Sequence, residues 1–307
     1  MASRAAVAVS PALDPAVLPL LRELGDLKRI HSAGRDGSIA TRLFEAGWSA
    51  WLGGTDLETV AYRTMAAALA ATRLGDLDWP KLGELGLSVA VRQAVLERGI
   101  DTVAGSLDRE LVAKFKRYLD EPPAPATNLP APLAALRHQP RAGVTGPGRP
   151  RVMLQPEENH AEHSLVVALY AGLLAPFYAA DPAEAFWHGM IHHLHSAAMP
   201  DAGYTGEVLL GGHLDAVIDR ARELALKELP DGVARTCRKH LSAIADDRTP
   251  AARAFHAADV IDRVLEIGHH LRRSEVTMSH VLDDYGLVHD GPVKAFHDRV
   301  LEEVGLL

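Results

Sequence analysis

Apolar residues recur at three- and four-residue intervals in nearly every segment of this 307-residue chain that is longer than ten residues, while β-branched and aromatic runs are scarce. That spacing is the period of a helix with one buried face. The expected fold is therefore all-α. Helices are predicted over 16–30, 38–52, 57–74, 89–97 and 108–119, and again over 161–175, 182–193, 214–229, 233–245, 250–272 and 292–304. Between the two sets, residues 121–156 hold nine of the nineteen prolines and cannot form one continuous helix. The organisation read from this pattern is a helical N-terminal region (1–120), a proline-rich linker (121–156) and a second helical domain (157–307). In the first region Trp48 and Trp51 fall on apolar helix faces and read as ordinary core, with a homodimer contact or a substrate lid as the other readings.

A net charge of −8 leaves no basic footprint of the kind that phosphate-backbone binding requires, which argues against a nucleic-acid polymer as partner. The single cysteine, Cys237, cannot make an intrachain disulfide, and a reducing, cytoplasmic setting is expected. The N-terminal residues are mildly apolar, but Pro11, Asp14, Pro15 and Pro19 interrupt them, so they read as a floppy or capping segment and not as a signal or a membrane span.

Fourteen of the sixteen histidines lie at or after His160, so the chemistry of histidine belongs to the second half. His163 opens an otherwise apolar helix in "ENHAEHSLVVALYAGLL" (158–174), and alone it reads as a boundary residue. "FWHGMIHHLHSAAMPD" (186–201) packs four more histidines into eight residues. On one continuous helix His188, His192 and His195 share a face and His193 points about 100° away. Imidazoles so spaced suit zinc, iron, nickel and similar ions. In "FHAADVIDRVLE", Asp259 sits in an apolar run where an unpaired carboxylate is costly to bury, so a metal or a hydrogen-bond network should accompany it. Asp262 reads as a surface charge near Arg263 and Glu266.

The order of a histidine, a histidine doublet and a buried aspartate after "AA" resembles the HD-domain superfamily of metal-dependent phosphohydrolases, over about residues 149–272. More narrowly, the first motif is similar to the "EN-x-x-EHS-x-x-VA" opening of its 5'-deoxynucleotidase branch. The resemblance implies an HD-like helical bundle with His163 as first ligand, His192 as second, His193 in the place of the signature aspartate and Asp259 as last. Two histidines and two aspartates balance the charge of a divalent ion, whereas three histidines and one aspartate leave about +1, which favours a transition metal (Mn, Fe, Co, Ni or Zn) over magnesium. The branch also places a glutamate where Ser196 stands, and an acid where Asp201 stands.

The activity so implied is hydrolysis of a small phosphomonoester, such as a nucleoside monophosphate, by metal-activated water. Asp201 or His195 would transfer the proton. Arg149 and Arg151 lie where the branch keeps a phosphate-contacting arginine, and a solvated linker is the other reading for both. Two rivals stand beside this. An HD-type di-iron oxygenase would need further histidines, for which His213 and His240 are available, and a degenerate regulatory HD domain would explain the replaced acids.

Overall fold

The computed structural model describes residues 13–120, 128–271 and 277–306. Among the described residues there are fourteen α-helices and no β-strand, in keeping with the all-α expectation. The first six are α1 (Leu18–Gly25), α2 (Ile39–Leu52), α3 (Leu57–Leu74), α4 (Trp79–Glu84), α5 (Val89–Asp101) and α6 (Arg109–Arg117). Then come α7 (Ala131–His138), α8 (His160–Leu174), α9 (Pro182–Ile191), α10 (Gly203–Leu210), α11 (Leu214–Leu226), α12 (Asp231–Ala243), α13 (Pro250–Leu271) and α14 (Lys294–Glu303).

The boundaries differ from the expected ones where local chemistry intervenes. The helix expected over 16–30 is cut to α1 by 3-10 turns at Pro15–Val17 and Asp26–Lys28. Helix α7 falls inside the proline-rich stretch, because Pro130 caps it and Pro132 occupies its first turn, where a missing N–H costs nothing. Residues 1–12 of the floppy segment lie outside the described residues, but from Leu13 onward the chain is tied into the core through Val17, Leu18, Leu20 and Leu21.

Helix α8 is the axis of the fold, with all fifteen of its residues buried. It starts at a capping box: Asn159 accepts from the Glu162 backbone N–H at 2.9 Å, and Glu162 returns an acceptor to the Asn159 N–H at 3.0 Å. The other oxygen of Glu162 accepts from Ser38 Oγ at 2.6 Å, and Ser38 is itself the N-cap of α2. One carboxylate thus fixes two helix starts to each other. Helices α2, α9 and α13 pack around α8. A Cβ at Gly189 would lie 2.4 Å from the backbone of Ala168, so α8 and α9 touch almost main chain to main chain at that point.

The hydrophobic core runs from Leu13 to Val304 and includes residues of both halves. Trp48 is fully buried against Trp51 and Trp187, and Trp187 donates its indole N–H to the Leu57 carbonyl at 2.9 Å. The tryptophans are core, and they seat the N-terminal helices directly on α9. No helix of the described residues is long and apolar enough to cross a membrane.

Candidate metal centre

Helix α9 ends at Ile191, with His192 as its C-cap and a 3-10 turn over Leu194–Ala197 after it. This changes the histidine geometry expected from one continuous helix. His193, at φ −98° and ψ 19°, no longer turns its ring away from His192. Ligand atoms of His163, His192 and His193 come within 4.8 Å of one another, and the doublet's rings lie 5.2 and 5.1 Å from that of His163. His188 and His195 do not join them. His188 meets His240 on α12, Nδ1 to Nδ1 at 3.0 Å.

The tautomers of two of these rings follow from their partners. His192 Nδ1 lies 2.6 Å from the Gly189 carbonyl and His163 Nδ1 lies 2.8 Å from Asp262 Oδ2, both acceptors only, so each Nδ1 carries the proton. The two Nε2 atoms then face each other at 3.3 Å with their lone pairs converging. Asp259 Oδ1, on α13, lies 3.3 Å from the same His163 Nε2, is buried, and accepts no hydrogen bond. Two imidazole lone pairs and an orphaned carboxylate oxygen converging without a proton to share are the donor set of a divalent transition ion. The residues present fit such an ion.

The protonation states agree with that fit. Burial, reinforced by His163, pushes His192 down to about 3. Burial and the neighbouring rings hold His193 well below the usual histidine range. Burial opposes the charge of Asp259, but the Arg263 guanidinium at 2.9 Å from Oδ2, together with His163, holds it well below the carboxylate range. The set is two neutral imidazoles and an ionised carboxylate beside His163.

Asp262 corrects the sequence reading. It is fully buried, not a surface charge, because a step of three residues along α13 turns only about 60° from Asp259, leaving both acids toward α8. Beyond it lies Lys28, whose Nζ is 2.8 and 3.0 Å from the two Asp262 oxygens.

A cavity of about 180 Å³ opens beside the histidines and is bounded by His163, His193, His195, Asp201, Glu207 and Arg141, among others. The expected substrate arginines are elsewhere: Arg149 is exposed and paired with Asp284 at 3.2 Å, and Arg151 donates to the Ala142 carbonyl at 2.9 Å. Neither bounds the cavity. Arg141 does, and the sequence reading missed it. An isolated bridge between Pro140 and Asn159, with the Arg141 N–H on the Glu158 carbonyl at 2.8 Å, lays it alongside the start of α8. Its Nη1 is buried without a hydrogen-bond partner. Asp201 accepts from the backbone N–H groups of Ala142 at 3.0 Å and Gly203 at 2.8 Å, so both its oxygens are engaged. His195 keeps Nδ1 unpaired, and burial lowers it to about 4. His213 is exposed, and His240 is held by His188, so neither histidine set aside for a di-iron centre joins the His163 group.

Residues 133–285 match the family model described as HD domain. Over this segment the chain is similar to HD domains. No curated protein and no solved structure gives a significant match to the chain. The matched segment runs from α7 into the turn after α13, takes in most of the proline-rich stretch, and contains His163, His192, His193, Asp259 and Arg141. HD domains bind divalent metals, and the side-chain groups described above include sets that could hold one.

Proposed function

We propose that the chain is a metal-dependent phosphohydrolase acting on a small phosphomonoester, such as a nucleoside monophosphate. The observation that carries this reading is Arg141, a guanidinium with a buried, unpartnered Nη1 bounding the same cavity as His163 and His193. Planar paired N–H donors match phosphate oxygens, and an unsatisfied buried donor calls for an anionic acceptor. The volume of about 180 Å³ lies below the roughly 300–1,000 Å³ of pockets for drug-sized ligands, which favours a small substrate.

A divalent ion held by His163, His192, His193 and Asp259 would lower the pKa of a water for attack on phosphorus and offset the developing negative charge. The chain's own groups then divide the remaining work. Arg141 binds and orients the phosphate. Asp201, through the Ala142 N–H, holds the segment that carries Arg141. His195 bounds the cavity with a buried Nδ1 that has no hydrogen-bond partner, and it is the imidazole placed to take up the proton of the attacking water. Glu207 bounds the cavity from α10, and burial, reinforced by Asp201, raises its pKa.

Release of inorganic phosphate from a panel of nucleoside monophosphates and sugar phosphates, with manganese, cobalt, iron or zinc supplied, tests the reading. At least one monoester should turn over in a metal-dependent way. Absence of release throughout, with oxygen uptake by the iron-loaded protein, would replace it with the oxygenase reading.

A further inference from the structure

Lys28 lies on the 3-10 turn after α1, outside the HD segment, and yet its ammonium is buried beside the metal centre. Nζ is 2.5 Å from Glu158 Oε1, 2.8 Å from Asp262 Oδ1, 3.0 Å from Asp262 Oδ2 and 3.3 Å from Glu266 Oε2. Desolvating an ammonium costs several kcal/mol, and one carboxylate rarely offsets it. Three do so here: burial opposes the charge, but Asp262, Glu158 and Glu266 hold the pKa well above the ordinary lysine value. The neighbouring Arg29 takes the other oxygen of Glu266 at 2.5 Å, so each acid of the group has a cationic partner.

Glu158, His163 and Asp262 by themselves have donor atoms within 4.8 Å of one another, the spacing of a cation site. Lys28 is the cation there. Because Asp262 Oδ2 also accepts from His163 Nδ1 at 2.8 Å, the ammonium acts on the centre through one intermediary. An acceptor held in this way fixes the ring's orientation and tautomer and keeps Nε2 directed at the ion.

We propose that Lys28 is a positioning residue of the metal centre: its ammonium occupies the Glu158–Asp262–Glu266 niche in place of a second metal ion, locks Asp262 onto His163 Nδ1, and makes the N-terminal region an obligatory part of the site. The inference rests on the metal-site reading of His163. It gives the N-terminal helices a role that the HD segment alone does not supply, and it limits the centre to one ion.

The test uses the full-length protein in four forms: wild type, Glu266→Gln, Lys28→Met and the charge-balanced pair Lys28→Met/Glu266→Gln. Affinity for zinc and cobalt is measured by chelator competition, the visible spectrum of the cobalt-loaded forms is recorded, and the melting of the metal-free forms reports the fold. The expected result is that the charge-balanced pair folds like Glu266→Gln, binds the ion about 10- to 100-fold more weakly and shows a shifted cobalt spectrum. A packing role alone would move the melting temperature but not the spectrum of the folded, loaded protein. Unchanged affinity and spectrum, or loss of fold in both Lys28 variants, would overturn the inference. If the wild type itself binds no ion, it is the metal-site reading that fails.

Discussion

His188 and His240 meet Nδ1 to Nδ1 at 3.0 Å within the core, a distance that admits one proton between the two rings and not two. Burial, then the charge of the partner ring, lowers His188 to about 3, and burial with Lys239 lowers His240 to about 4. In the unfolded chain each would titrate near about 6.5. Both therefore bind protons more readily when unfolded, so their contribution to stability is present above about pH 6.5 and is lost as the pH falls toward 4 and 3.

Melting temperature should accordingly fall from neutral pH to pH 4, each such ring adding up to about 1.4 kcal/mol of destabilisation per pH unit below its unfolded value. Replacing the partner, His240→Ala, should cost about 1–3 kcal/mol at neutral pH, because His188 Nδ1 is left buried and unpaired. Thermal melts across pH check both, and a flat profile would show that the pair is not held neutral.

Arg141→Ala should raise KM by more than about tenfold while leaving bound metal unchanged, the loss expected for a charge-assisted contact to phosphate. Arg149→Ala and Arg151→Ala should stay within about twofold of wild type, since neither side chain bounds the cavity. Steady-state kinetics with metal analysis of each variant decides this. Equal losses at all three positions would mean that phosphate is bound at the protein surface.

Asp201→Asn keeps the shape but replaces one acceptor oxygen with an N–H₂ group facing the N–H of Ala142 or Gly203. Turnover should drop by about tenfold or more and stability by about 1 kcal/mol, with metal content retained. Loss of the ion together with turnover would instead place Asp201 among the ligands.

The all-α class and most of the helices were legible because the 3.6-residue period is local. Spacing alone grouped His188, His192 and His195; His163, His192, His193 and Asp259 were named through the family resemblance, and in the structure their side chains lie close to one another. Why His193 points inward was not legible, since nothing in "HGMIHHLHS" marks the end of α9 at Ile191. Asp262 was misplaced by treating a three-residue helical step as a change of face. Arg141 depends on a backbone bridge to Asn159, and Lys28 reaches Asp262 across 234 residues. Contacts made by folding between distant segments leave no periodic trace in a single sequence.

His193→Asp would give the doublet the composition of the family signature and add one negative charge to the centre. Metal preference should move toward harder ions such as manganese and magnesium, with zinc affinity falling relative to them. Competition between metals on the purified variant checks this. An unchanged order would mean that His193 does not bind the ion.

The most direct measurement is the metal content of protein purified without chelator, for wild type, His163→Ala and Asp259→Ala. The account predicts one equivalent of a transition metal in wild type and little in either variant, with the apo fold retained. Full occupancy in both variants would contradict it, because the His163 Nε2 and Asp259 Oδ1 atoms that converge at 3.3 Å would then have no part in holding the ion.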